Sequence, residues 1–136
     1  MIALGDGGAH YGLICDASYT THALTYWTRD RRGERWPLAW TVQQLTDVPA
    51  RMVGLGDRGR LAAGYRADIN VIDLDRLQVA APHPVHNLPG GGRRLEQKAS
   101  GYRATIVGGD VTYRVGEFTG ALPGRLVRGA RPAIRD

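Results

Sequence analysis

The chain has 136 residues, the size of one ordinary domain, and its 18 Lys and Arg against 13 Asp and Glu give a net charge of +5. The single cysteine, Cys15, excludes an internal disulfide and a cysteine-based zinc site, and favours a reducing, cytoplasmic setting. No apolar run approaches the roughly 20 residues that span a bilayer. The basic residues are scattered without interleaved aromatic residues, so neither a membrane nor a nucleic-acid partner is predicted.

The N-terminal part of the sequence predicts a short strand and then a helix. Residues 1–4 are apolar and stop at a glycine-rich stretch, which is typical of a buried strand that ends in a loop. A helix is predicted from about Tyr19 to Arg31, with Asp16 or Ser18 as its N-cap and Gly33 after its end.

Two further helices are predicted before residue 55. One starts at residues 36–38 and contains the apolar residues Ala39, Trp40, Val42 and Leu45. The next is capped by Thr46 or Asp47, has Pro49 in its first turn and ends at Gly54. The residues Trp27, Trp36 and Trp40 are expected to pack helices against the core rather than to form a ligand cage.

After residue 56 the pattern changes to that of β-structure. Residues 68–73 alternate between apolar and polar side chains, as in a half-buried strand. Residues 77–92, which are rich in Pro and Gly, predict a long loop. Residues 104–115 predict a hairpin that turns at Gly108-Gly109. Surface ion pairs are expected from Arg58 and Arg60 to Asp57, Asp68 or Asp73.

Few side chains in this sequence suggest chemistry by themselves. Asp6 lies in a glycine-rich loop, where a carboxylate commonly accepts backbone hydrogen bonds in a turn. His10 follows it closely. His83 and His86 have a spacing that could bind a metal, but Pro84 disfavours a helical turn and no third ligand is evident. Cys15 is expected to be a buried, inert thiol, because no cationic neighbour lowers its pKa.

Three segments resemble the metal-dependent amidohydrolase superfamily. Gly5 to His10 is similar to the loop that follows the eighth barrel strand, and residues 48–73 are similar to the junction between barrel and β-sandwich. Residues 101–125, which end in Gly-Ala-Leu-Pro-Gly-Arg, resemble the closing strands of the branch that contains N-acyl-D-amino-acid deacylases such as D-aminoacylase. The resemblance implies an α+β chain that contains the end of a (β/α)8 barrel at residues 1–55 and a small β-sandwich at residues 56–136.

The same resemblance implies roles for two residues. Asp6 matches the aspartate that binds the metal and transfers the proton from water to the leaving amine, and His10 matches a position near the substrate. The complete parent enzyme would use zinc. The family's His-x-His motif is absent from this sequence, and one carboxylate is too few for a catalytic zinc site. The chain alone is therefore expected to bind no metal stably and to be inactive.

Two classes of function follow from these observations. The first is the C-terminal part of a zinc-dependent amidohydrolase that cleaves the amide bond of N-acyl (D-)amino acids or similar small amides. The alternative is a non-catalytic binding or structural β-sandwich module derived from such an enzyme. Because the family's sandwich also takes strands from the N-terminal end, unpaired sheet edges are expected here. These edges would favour a homo-oligomer or pairing with a separate barrel polypeptide.

Overall fold

The computed structural model describes residues 2, 10 and 12–134 of the chain. The predicted first strand, apart from Ile2, and Asp6 lie outside this part. The helical elements are a 3-10 turn (Asp16–Ser18), α1 (Tyr19–His22), a π-helical segment (Ala23–Asp30), α2 (Leu38–Leu45), α3 (Asp47–Met52) and two further 3-10 turns (Leu74–Arg76 and Pro89–Gly91). The strands are β1 (Ile69–Ile72), β2 (Gln78–Val79), β3 (His83–Leu88), β4 (Gly92–Glu96), β5 (Ala99–Ser100), β6 (Tyr102–Val107), β7 (Asp110–Arg114) and β8 (Glu117–Phe118).

The architecture is a mixture of helices and antiparallel sheets, which confirms the predicted α+β class. The main sheet has four strands in the order β1-β6-β7-β8. Two smaller two-stranded sheets pair β2 with β5 and β3 with β4. Within the described residues, no helix is long and apolar enough to cross a membrane.

The first helical region extends from the turn at Asp16 to Asp30, close to the predicted bounds. Its second half winds as a π-helix, in which the hydroxyl of Thr28 donates to the carbonyl of Ala23 at 3.0 Å. The predicted side-chain cap is wrong, because no cap hydrogen bond forms at Ser18 and its hydroxyl instead donates to Gln97. The sequence cannot reveal this competing partner, since Gln97 lies 79 residues away.

The helices α2 and α3 confirm the two predicted segments, but the capping prediction fails there as well. The hydroxyl of Thr46 donates to the carbonyl of Val42 at 2.8 Å instead of accepting from the next helix. Asp47, which is buried, accepts from Arg51 and from Arg60. Its carboxylate therefore joins α3 to the turn that follows it.

The three tryptophans pack mainly against each other between the first helical region and α2. The rings of Trp27 and Trp36 stack at a centroid distance of 4.8 Å, and Trp40 meets Trp36 edge-on at 5.4 Å. Arg31 lies over the Trp27 ring, 4.6 Å from its centroid. This confirms the predicted helix-packing role, although Trp40 remains 42% exposed.

The central hairpin confirms the strand predictions for the second half. β6 pairs with β1 on one side and with β7 on the other. Gly108 and Gly109 turn the chain with φ angles of +60° and +94°, which side-chain-bearing residues rarely adopt. The glycine pair therefore allows a tight connection between β6 and β7.

The prediction of a long loop at residues 77–92 is wrong. This region contains β2 and β3, and β3 forms a hairpin with β4 in which Pro84 lies opposite Leu95. A proline is tolerated because both strands of a two-stranded sheet are edge strands, where one side needs no backbone donor. Gly90, with φ at +71°, allows the chain to turn after β3.

The predicted ion pairs are partly correct. Arg58 pairs with Asp57 at 2.8 Å and lies 3.7 Å from Asp68. Arg60 pairs instead with Asp47, which α3 places beside it. Asp73 accepts a hydrogen bond from Arg103 at 2.6 Å, and this contact lowers the pKa of Asp73 below its ordinary value of 3.8. The contribution of the Asp73–Arg103 pair to stability is present above pH 3.8 and is lost as the pH falls through the lowered pKa of Asp73.

Leu77 is fully buried and marks the point where the sheets meet. A Cβ added to Gly101 would lie 2.6 Å from the Leu77 Cα, so the backbones of the two segments touch. Gly101 also has a φ of +95° and accepts the Asp73 N–H at 2.8 Å. This position requires glycine for both its conformation and its close approach.

Replacing Gly101 with Ala should therefore destabilise the fold more than replacing Gly109, whose φ of +94° is almost the same but whose surroundings are open. G109A should cost about 1–2 kcal/mol from the left-handed backbone alone. G101A should cost about 2–5 kcal/mol, because overpacking against Leu77 adds to that strain. Urea unfolding midpoints measure both, and equal losses for the two variants would contradict the close-approach argument.

Candidate active site

His10 is the one member of the predicted site that the structure describes. Its backbone has a φ of +54°, and its carbonyl accepts the N–H groups of Leu13 at 2.7 Å and Ile14 at 2.9 Å. The imidazole is exposed and has no hydrogen-bond partner among the described residues. His10 therefore starts a turn that leads into the first helical region. Asp6 lies outside the described residues, so its role and its proximity to His10 stay predictions.

A cavity of about 560 Å³ lies directly after the His10 turn. Its size falls in the range of small-molecule pockets, which runs from roughly 300 to 1,000 Å³. The segment from Leu13 to His22 supplies one side, and β-structure supplies the other. The lining residues are Leu13, Cys15, Asp16, Ser18, Tyr19, His22, Val79, Pro82, Leu95 and Gln97.

Sequence reasoning missed this cavity because one wall comes from residues 79–97, most of which were predicted to be a loop. Gln97 holds the two walls together, since its carbonyl oxygen accepts from Ser18 and its amide donates to the Ala80 carbonyl at 2.9 Å. Leu95 is the only apolar residue between Arg93 and Lys98, so no local alternation signals a strand there.

The lining combines apolar side chains with a few polar groups. Leu13, Val79 and Leu95 can contact an apolar group, whereas Tyr19 and His22 offer hydrogen-bonding atoms. This composition suits a small organic molecule with one apolar and one polar end. Cys15 also lines the cavity and is half-buried, so the prediction that its thiol is buried is wrong.

Two more contacts dock the first helical region onto the β-structure. The hydroxyls of Thr21 and Tyr102 form a hydrogen bond at 2.7 Å, and the Arg29 guanidinium donates to the carbonyl of Leu74. Thr21 is buried, so its hydroxyl needs this partner. The docking contacts fix the position of the cavity wall.

The described residues do not contain a zinc site. No three His, Cys, Asp or Glu side chains among them lie close enough to bind one metal ion. His83, which the spacing to His86 singles out, lies on β3 with its Nε2 3.7 Å from a carboxylate oxygen of Glu96. Because a catalytic zinc ion needs about three protein ligands, these side chains alone do not fit one.

Similarity to known proteins identifies the class of the chain. Residues 1–113 match the sequence profile of the Amidohydrolase family. The match covers the His10 turn, all three helices and strands β1 to β6. The chain belongs to this family, as its resemblances predict.

Two curated relatives from Alcaligenes xylosoxydans xylosoxydans place the chain in the D-aminoacylase-like branch. An N-acyl-D-glutamate deacylase is 49% identical over 47 residues, which are 35% of this chain and 10% of that protein. A D-aminoacylase is 31% identical over 93 residues, which are 67% of this chain and 17% of that protein. The matched regions thus span less than a fifth of either relative. No solved structure shows significant similarity to the chain.

Removing the Tyr102 hydroxyl should loosen the docking of the first helical region. Tyr102→Phe leaves the buried Thr21 hydroxyl without its partner and should lower the free energy of unfolding by about 1–3 kcal/mol. Tyr113→Phe is the matched control, because Tyr113 is 46% exposed and its hydroxyl has no partner among the described residues. Chemical denaturation measures both changes. A loss in Y113F as large as in Y102F would show that the Thr21 contact contributes nothing.

Proposed function

We propose that this chain forms the C-terminal part of an amidohydrolase that hydrolyses the amide bond of N-acyl (D-)amino acids or similar small amides. The observation that carries the proposal is the similarity, over 47 and 93 residues, to an N-acyl-D-glutamate deacylase and a D-aminoacylase. The profile match begins at residue 1 and therefore includes Asp6 and His10. The cavity that follows His10 has a suitable size for such a substrate.

In this proposal Asp6 handles protons during hydrolysis. A carboxylate beside the attacking water would accept a proton from it and return that proton to the nitrogen of the leaving amine. His10, whose imidazole is exposed at the start of its turn, would contact the substrate. The complete enzyme would bind zinc with Asp6 as one ligand, and the other ligands would come from a part of the enzyme that these 136 residues do not include.

The proposal divides the chain into two functional parts. Residues 1–55, which contain α2 and α3, would form the end of the barrel, and residues 56–136 would form the β-sandwich module. The change from helices to antiparallel strands after α3 is compatible with this division. We place the enzyme in the cytoplasm, with a small amide as substrate and without a nucleic-acid partner.

Exposed apolar side chains support the pairing of this chain with a barrel polypeptide. On and near α2 and α3, Trp40 is 42%, Met52 66% and Leu61 86% exposed. Burying such residues against further barrel helices would stabilise both parts.

The proposal is tested by changing Asp6 to Asn in the full-length enzyme or in the complex of this chain with its barrel. The amide cannot accept the proton, so kcat should fall by about 100-fold or more. Asp110→Asn, on the exposed start of β7, is the control and should leave hydrolysis of N-acetyl-D-amino acids unchanged. Activity of D6N near that of the wild type would remove Asp6 from the mechanism.

A further inference from the structure

A second cavity, of about 420 Å³, lies on the side of the chain where the C-terminal segment meets the start of β1. The turn at Asp57-Arg58 and the segment that leads into β1 form one wall. Residues 124–127 together with Arg131 form the other. Its polar lining consists of four guanidinium groups and two carboxylates, from Asp57, Arg58, Arg66, Asp68, Arg125 and Arg131.

The two carboxylates already have cationic partners. Asp57 binds Arg58 through both oxygens, with distances of 2.8 Å to Nε and 3.1 Å to Nη2. Asp68 accepts from Arg66 Nε at 3.0 Å and from the backbone N–H of Gly108 at 2.8 Å. The hydrogen bond from Arg58 lowers the pKa of Asp57, and the more distant charge of Arg131 acts in the same direction. Both acids therefore already have arginine partners.

Two arginines of this cavity form no close ion pair, although the charge of Arg131 acts on Asp57 from a greater distance. Neither Arg125 nor Arg131 forms an ion pair or a side-chain hydrogen bond within residues 12–134, so four cations against two anions leave this cavity with a net charge of +2. The backbone of Arg131 is fixed, because its N–H donates to Gly54 at 2.7 Å and its carbonyl accepts from Gly56 at 3.0 Å. The backbone that carries one of the two guanidinium groups without a close ion pair is therefore fixed beside the cavity.

We propose that this cavity binds a phosphate group through Arg125 and Arg131, either as inorganic phosphate or as a phosphomonoester. A guanidinium donates two parallel N–H bonds to a phosphate, and it keeps its charge at every physiological pH. A dianion would neutralise the net charge of the cavity. The volume exceeds what a phosphate ion alone requires, which leaves room for the small organic part of an ester. This site is separate from the His10 cavity and does not rest on the proposed hydrolase activity.

Chemical modification of arginine tests this site in the unaltered protein. Phenylglyoxal is added together with inorganic phosphate, glycerol 3-phosphate or chloride, each at about 10 mM to suit weak anion binding and at equal ionic strength. Mass spectrometry follows the modification of each arginine. We expect phosphate or the ester to slow modification of Arg125 and Arg131 about fivefold or more relative to chloride. Arg128, which lies between them in sequence but does not line the cavity, should be unaffected. Slow modification of Arg58, only 19% exposed, reports that the protein is folded.

The arms of the experiment separate the two sources of the phosphate group. Protection by both anions, or by inorganic phosphate alone, supports a site for the free ion. Protection by glycerol 3-phosphate alone supports a phosphomonoester site. No protection in either arm overturns the proposal. It is also overturned if Arg125 and Arg131 react slowly in chloride, since protein carboxylates would then already occupy them.

A matched pair of variants tests whether these two side chains act as the ligands. The double variant R125Q/R131Q should lose the increase in melting temperature that phosphate gives over chloride at equal ionic strength. R128Q removes a charge from the same segment outside the cavity and should retain that increase. An equal loss in R128Q would show general screening of a basic surface and would overturn the proposal.

Discussion

The rest of the structure depends on the docking of the first helical region onto the β-structure, which fixes one wall of the cavity beside His10. Three side chains on this region, Ser18, Thr21 and Arg29, bind partners that lie 45 to 81 residues further along the chain. Each contact is polar, and the hydroxyl of Thr21 is buried. A buried polar group costs more when unpaired than a hydrogen bond contributes when formed. The docking is therefore specific in position rather than a general apolar association.

This docking creates the cavity beside His10, but it leaves many apolar side chains of the described residues uncovered. Leu77 is fully buried where the small sheets meet the main sheet, yet few other large apolar side chains of the described residues are buried. On α2, Leu38, Trp40 and Val42 stay exposed. Among the described residues, apolar burial is therefore concentrated at Leu77, in the first helical region and at Ala50.

Ion pairs join separate elements of the chain. Asp47 joins α3 to Arg60, and Asp73 joins the end of β1 to Arg103 on β6. These pairs connect elements and use their acids completely. Basic residues outnumber acidic ones by five, and two arginines that form no close ion pair within the described residues line one cavity at the C-terminal segment. The fold therefore decides where the excess positive charge of the sequence lies.

The sequence by itself determined the elements whose signals are local. The helix α2, the strand β1 and the turn at Gly108-Gly109 each have signals in neighbouring residues, and all three elements are confirmed. The family was predictable for the same reason, since its motifs are continuous. Only the tertiary structure decided the β3–β4 hairpin, where the pairing of two edge strands outweighs the presence of Pro84. It also decided the partner of Ser18, whose hydroxyl donates to Gln97 instead of capping the helix. Contacts across 79 residues depend on how elements pack, and no local pattern encodes them.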